Sequence, residues 1–376
     1  MNMGKENNTG WLRFLLAVLV GILCILLTLG MLTMVIFGAG STVSSRKTGE
    51  KWELADRFDQ YMTNVTAEAM DGILSVKKRY WLRDSDMVAP EPNPNGYGEA
   101  EDPNALEPVL AAAEELLDGQ ELIFTTDTQI TEGSKIKYYR DETILAITWQ
   151  HNEGKTVYTC SEVKIAHPSQ FRRFLSDGRY GSGKLYLASE MAASVNAVTA
   201  SNGDYYAFRG YGNHVYNGEV KSWDNRYLDT CYIDGNGDLL MVDYGEVVTK
   251  QQNEDFVAEH DVRFSLAFGP ILIRDGQRVE KFFYAIGETD RLYSRAALCQ
   301  QGPLHYLLVT ANRRGQNVSQ FARHLEQMGV QNAYMLDGGQ TAAIVMGDEL
   351  MNKVDYGGER KTSDIIYFAT AIPDGG

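Results

Sequence analysis

His305-Tyr-Leu-Leu-Val-Thr310, Val318-Ser-Gln-Phe-Ala-Arg-His-Leu-Glu-Gln-Met328 and Asn332-Ala-Tyr-Met-Leu336 are the stretches whose order decides the fold. The outer two are short apolar runs of strand length. The middle one repeats apolar residues at helical spacing and is stopped by Gly329. A strand, a helix and a strand joined as a right-handed crossover in one sheet make the two strands parallel. Residues just past their carboxyl ends then share one rim. Asn312, Arg313 and Asp337 are expected on that rim. Upstream, β-rich runs predict strands at 121–125, 135–139, 143–149, 156–165 and 183–188, with helices at 168–175 and 190–198. The run 230–242, folded at Asp234-Gly-Asn-Gly-Asp238, reads as a hairpin. The fold class expected is α+β: a mixed β-sheet core with packed helices, not a doubly wound nucleotide fold.

The full chain has 376 residues, enough for two or three domains of about 100–200 residues each. Lys and Arg number 35 against 50 Asp and Glu, and the resulting net charge of -15 repels phosphate backbones, so nucleic acid is not an expected partner. Beyond Cys24 only Cys160, Cys231 and Cys299 remain, an odd number that excludes a fully paired disulfide scaffold. No CxxC, HExxH or spaced Cys/His cluster occurs, so neither a metal site nor a cofactor is expected.

No charged residue lies between Arg13 and Arg46, and Phe14 to Phe37 is almost wholly apolar. Such a run spans roughly 36 Å as a helix, enough to cross a hydrocarbon core of about 30 Å. Signal-peptide cores usually run about 7–15 residues, which favours an uncleaved transmembrane anchor over 14–38 behind a cytoplasmic tail at 1–13. The large remainder is then expected outside the membrane, tethered by a single pass. Apolar residues at Phe58, Met62, Val65, Ala69, Ile73, Val76 and Tyr80 predict a helical stalk within 39–83. That stripe suits either a short coiled coil, making a homodimer, or packing on the chain's own domain. Acids without bases and a cluster of prolines mark 84–105 as an extended linker, and 106–376 as the main domain.

Gly178-Arg-Tyr-Gly-Ser-Gly-Lys184 is not a P-loop, because Leu185 stands where the metal-binding hydroxyl belongs. Asp234, Asn236 and Asp238 have calcium-loop spacing, but Leu239 and Gly245 occupy positions that need glycine and a carboxylate. Leu336-Asp337-Gly338-Gly339-Gln340-Thr341 is different. An apolar strand delivers a carboxylate to its end, and two glycines then expose backbone N–H groups able to hold an anionic or oxygen-rich ligand. Asn202-Gly203-Asp204-Tyr205-Tyr206 repeats the pattern, and Arg295 leads into the apolar run after Ser294.

Val195-Asn-Ala-Val-Thr-Ala-Ser-Asn-Gly-Asp-Tyr-Tyr206, Phe264-Ser-Leu-Ala-Phe-Gly-Pro-Ile-Leu-Ile273, Ser294-Arg295, Asn332-Ala-Tyr-Met-Leu-Asp-Gly-Gly-Gln340 and Glu359-Arg360, in this order, resemble the phosphodiester glycosidase family. That family takes in the mannose 6-phosphate uncovering enzyme and bacterial proteins of exopolysaccharide biosynthesis. The resemblance implies hydrolysis of a sugar joined through its anomeric carbon to a phosphodiester, here in an exopolysaccharide or other cell-surface glycan. Breaking that bond calls for carboxylates, and Asp204 with Asp337 are the expected pair. Arg295 is expected to hold the phosphate, helped by Arg209 or Arg313. Asn202, Gly203, Asn312, Gly338, Gly339, Gln340 and Thr341 complete the expected substrate contacts. The chain departs from the family pattern at Ala311-Asn312-Arg313, where Asp-Gly-Arg is common, and at Arg295-Ala-Ala-Leu-Cys299, where Arg-Thr-Ala-Ile-Gly is common. After the Asp-Gly-Gly turn, Thr341 is the one hydroxyl left before Ala342 and Ala343. These departures imply the alternative of a weakened or inactive glycan-binding or assembly protein on the same fold.

Overall fold

The computed structural model describes residues 87–224, 227–282 and 289–372, and only the backbone of 313 and 314. The expected anchor at 14–38 and stalk at 39–83 lie outside the described residues. Among the described residues, no helix is long and apolar enough to cross a membrane.

The α+β expectation is corrected: the domain is mostly β, built from three sheets in which every paired strand is antiparallel. The largest has nine strands in the order Tyr97–Ala100, Ile136–Arg140, Ile144–Glu153, Thr156–Ile165, His305–Gln316, Tyr293–Gly302, Asn332–Leu336, Ile271–Arg274 and Gln277–Arg278. His305–Gln316 and Asn332–Leu336 do run parallel, but they are not neighbours. Tyr293–Gly302 lies between them, antiparallel to both. The reason is a hairpin: Gly302 faces His305 across a two-residue link, so the strand before His305 occupies the place a parallel partner would take. Tyr97–Ala100, inside the acidic proline-rich stretch, adds an edge strand against Ile136–Arg140.

Both faces of the central strands are covered, which is why they read as unbroken apolar runs. Ala297, Cys299, Leu307 and Val309 face one core, with Val318, Phe321, Ala322 and Leu325 of the Val318–Gln327 helix packed on them. Burying such side chains contributes about 1.5–3 kcal/mol each. The helix begins where Asn317 caps the Gln320 amide at 2.8 Å. Ala296, Leu298, Tyr306 and Leu308 point the other way, into a core shared with both five-stranded sheets. One of these runs Glu349–Leu350, Ile344–Met346, Thr199–Asn202, Asp364–Phe368, Phe171–Leu175. The other runs Leu239–Val242, Thr230–Ile233, Phe264–Leu266, Gly212–Tyr216, Glu219–Asp224.

Several local expectations also change. The predicted helix at 168–175 is one 3-10 turn, Pro168–Gln170, followed by the strand Phe171–Leu175. The run 121–125 forms no strand, because the Ile123 and Phe124 amides donate to the Glu162 carboxylate at 2.7 and 2.8 Å. Of the run 183–188, only Tyr186 pairs, in a single bridge to Thr362. The hairpin at 230–242 forms, with Asp234 Oδ1 accepting the Asn236 and Asp238 amides at its tip. Cys160, Cys231 and Cys299 are buried and free.

Candidate active site

Three strand ends converge. Thr199–Asn202 ends where the chain turns to Asp204, Asn332–Leu336 ends at Asp337, and Phe264–Leu266 ends at Ala267. Two hydrogen bonds lock the first two together: Asp337 N donates to the Gly203 carbonyl at 3.1 Å, and the Asn202 side chain donates through Nδ2 to the Asp337 carbonyl at 2.7 Å. Asn202 Oδ1 in turn accepts the Ala343 amide at 3.1 Å, so this side chain braces the two turns with both ends. Gly203 is required by space, since a Cβ there would lie 2.3 Å from Asp364 Oδ2.

Asp204 is fully buried. Its Oδ1 accepts the Tyr205 amide at 2.5 Å and Arg209 Nη2 at 3.0 Å, and its Oδ2 accepts the Ala267 amide at 2.7 Å. Arg173 Nη2 stands 3.8 Å away and His214 Nδ1 3.5 Å. Burial opposes charge on this carboxyl, but His214, Arg209 and Arg173 outweigh it and hold it below the usual range. His214 itself is pushed down to about 4 by burial, aided by the same arginines, so at neutral pH the imidazole is uncharged and the two guanidiniums carry the effect. Arg173 also donates through Nε to Asp364 Oδ2 at 2.7 Å, and Asp364 Oδ1 accepts the Asp204 amide at 3.0 Å. Burial, opposed by Arg173, raises the Asp364 carboxyl.

Asp337 is the more accessible carboxylate, its side chain 9% exposed. Oδ1 accepts the Gly338 amide at 2.9 Å and Oδ2 accepts Arg360 Nη2 at 3.2 Å. Burial pushes its carboxyl up to about 6, against Thr341, Arg360 and Arg209. Arg209 therefore sits within the field of both aspartates. Its side chain is 4% exposed, its guanidinium lies 5.3 Å from the Phe268 ring centre, and its Nε and Nη1 have no partner among the described residues. Two buried guanidinium donors without an acceptor are costly, and an oxyanion is the ligand that supplies one.

Arg295 is placed differently. Its backbone borders the site, since a Cβ on Gly338 would lie 2.6 Å from the Ser294 carbonyl and 3.8 Å from Arg295 Cα. Its guanidinium, however, donates to the Gln316 and Arg291 carbonyls at 2.9 and 3.0 Å and lies over the Tyr293 ring. The Gly338 amide is taken by Asp337, and Thr341 Oγ1 donates to the Gly338 carbonyl at 2.7 Å. Gln340 Nε2 ties the turn to the Gly358 carbonyl at 2.8 Å. Gly339 is left in the open at φ 62°. Asn312 is buried one strand beyond Arg295, and the Arg313 side chain lies outside the described residues.

Sequence reasoning assigns no role to Arg173, His214, Asp364 or Arg360. Arg173 is hidden in a stretch that reads as helix, whereas as a strand residue opposite Ile366 it shares a face with Asp364. Arg360 belongs to the family pattern, but its tie to Asp337 is visible only in three dimensions. His324, which the apolar pattern of its helix turns toward solvent, is buried, with Nε2 2.9 Å from His151 Nε2 and Nδ1 2.7 Å from Glu153. Among the described residues, no group of three or more metal-ligating side chains comes together.

A sequence model of the phosphodiester glycosidase family matches residues 195–369, which hold both aspartates, Arg209, Arg295 and Arg360. This stretch belongs to the phosphodiester glycosidase family. The phosphodiester glycosidase domain is a hydrolase domain, directed at glycosyl phosphodiester bonds. No curated protein matches the chain. Among solved structures, the catalytic domain of zebrafish N-acetylglucosamine-1-phosphodiester alpha-N-acetylglucosaminidase is similar at 15% identity and a TM-score of 0.49, covering 68% of this chain and 92% of that one. A hypothetical protein from Synechocystis is similar at 14% identity and a TM-score of 0.44, covering 65% and 64%.

The turn that presents Asp337 depends on close backbone contact. Gly338→Ala is expected to cost about 1–3 kcal/mol, because the new methyl meets a carbonyl that cannot swing aside. Gly339→Ala meets open space and bears only the left-handed penalty of about 1–2 kcal/mol. Thermal melts of both variants check this: Gly338→Ala should melt lower and lose more activity, and equal effects would show that contact with Ser294 does not set the turn.

Proposed function

We propose that this domain hydrolyses sugar-1-phosphodiesters with Asp337 as the working carboxylate and Arg209 as the phosphate anchor. The observation that carries this reading is the buried Arg209 guanidinium, bonded to Asp204 through Nη2, with Nε and Nη1 unpartnered among the described residues and its charge felt by Asp337. A phosphodiester oxygen accepting from one of those donors holds the phosphate, with the anomeric carbon presented to Asp337. Water then adds its hydroxyl to that carbon as its proton passes to Asp337, and the C–O bond breaks toward phosphate, which leaves as a stabilised anion. Asp204 acts as a positioning residue, since its oxygens are taken by Tyr205, Ala267 and Arg209.

The finer setting is a single-pass, membrane-anchored protein with this domain outside the membrane, working on a cell-surface or exported glycan, dimeric if the stalk pairs. The uncharged run from Phe14 to Phe37, the spacing of the stalk residues and the family resemblance support it. Assay of the purified full chain in detergent on a panel of sugar-1-phosphodiesters tests the central reading: free sugar and phosphomonoester should appear together. Glycan retained on the protein without turnover would favour the binding-protein alternative.

The rate should depend on pH in a defined direction. Asp337 must be ionised to take the proton, so kcat/KM should rise through about pH 6 and level off above it. Arg360 holds that carboxyl down, so Arg360→Gln should move the midpoint upward. A profile that falls across the same interval would assign Asp337 as an acid instead.

A further inference from the structure

Beside the Asp337 turn lies a cleft of about 450 Å³ that the chemistry above does not use. Gln150, Thr159 and Asn312, from three adjacent strands, line it with amides and a hydroxyl, and the loop Lys353 to Gly357 forms the facing wall. Asn312 is 2% exposed and accepts Asn352 Nδ2 at 3.0 Å, yet its own Nδ2 has no partner among the described residues. Thr131 Oγ1, also on the lining, is likewise buried and unpartnered. Idle buried donors are costly unless a ligand supplies what they lack.

The wall carries a second signal. Tyr356 is 94% exposed and sits at φ 58°, ψ 13°, a left-handed conformation that a bulky residue rarely holds. The loop is pinned on both sides of it, by Ser294 Oγ on Asp355 Oδ1 at 2.8 Å and by Gln340 Nε2 on the Gly358 carbonyl. An aromatic ring presented to water by a pinned backbone, on the wall of a cleft with a polar lining, suits a ligand with apolar C–H faces and many hydroxyls. That combination is a pyranose ring. Lys353 on the same wall adds one cation, suited to an acidic sugar.

The cleft is coupled to the site already described. Ser294 joins the two, bonding Asp355 through its hydroxyl while its carbonyl lies against Gly338. The strands bearing Asn312 and Asp337 are separated by the strand bearing Arg295, which puts them about 10 Å apart across the sheet. This matches the length of about two linked sugar rings.

We propose that this cleft is a second glycan subsite, so that the substrate is an oligo- or polysaccharide and not a lone sugar phosphodiester. The proposal rests on the hydrolase reading for its substrate. The test compares kcat/KM of the full chain on a methyl sugar-1-phosphodiester and on the same diester extended by three sugars, with Tyr356→Ala as the variant. The extended substrate should be preferred by on the order of tenfold, and Tyr356→Ala should abolish the preference. No preference, or an equal loss on both substrates, overturns the subsite while leaving the hydrolase intact. A separate arm titrates the full chain with phosphate-free tetrasaccharides of glucose, N-acetylglucosamine and glucuronic acid. Binding to one of them that Tyr356→Ala weakens about tenfold supports the subsite even if no diester is cleaved, and binding to none overturns it.

Discussion

Replacing Asp337 by asparagine is expected to lower kcat/KM by about 10²–10⁴-fold while leaving the fold intact, because the amide keeps an acceptor for Gly338 N but cannot take a proton. The same variant should be more stable than the parent at neutral pH. Burial raises this carboxyl from an ordinary 3.8 to about 6, so the native state holds the proton more tightly than the unfolded chain does. Stability therefore falls as pH climbs through that interval, and above it the buried charge costs about 3 kcal/mol. Asparagine bears no such charge, so Asp337→Asn should melt above the parent at pH 7.5 and close to it at pH 4. Function held at a cost in stability is the usual signature of a working group. An asparagine variant with parental turnover would remove Asp337 from the chemistry.

The second large effect concerns the carboxylate that does not face the substrate. Asp204→Asn leaves Arg209 in a buried site without the carboxylate it pairs with and takes from Arg173 one of its two carboxylates, and breaking such a pair costs about 3–5 kcal/mol. Asp364→Asn should cost less. That carboxyl is raised where Asp204 is lowered, so replacing it removes a charge the site already resists. Chemical denaturation of the two variants checks the order, and Asp204→Asn should also lose activity through the displaced Arg209. If the two variants lose equal stability, the charge balance centred on Asp204 is not what holds this corner together.

Much of the site is legible in the sequence. Asp204 and Asp337 each follow a short apolar run and stand beside glycine, and that pattern places both at strand ends. The helix over Val318–Gln327 and the strand Thr156–Ile165 are local matters of spacing and hydrogen bonding, and the chain forms them where the pattern predicts. The strand Phe171–Leu175 is not legible, because Phe171, Phe174 and Leu175 suit a helical stripe as readily as a sheet. Its pairing with Asp364–Phe368 decides the matter, and that partner is nearly two hundred residues away.

What the sequence by itself determined is which residues bear charge, where the chain turns, and which runs are apolar, since these depend on neighbours a few positions apart. Only the tertiary structure decided which arginine serves which carboxylate. Arg295 borders the Asp337 turn yet donates to backbone carbonyls, while Arg209 pairs with Asp204 and keeps two donors idle. The physical reason is that a guanidinium's work is set by which acceptors lie within about 3 Å of it. Those acceptors come from strands distant in the chain, brought together by sheet register and by burial of two cores.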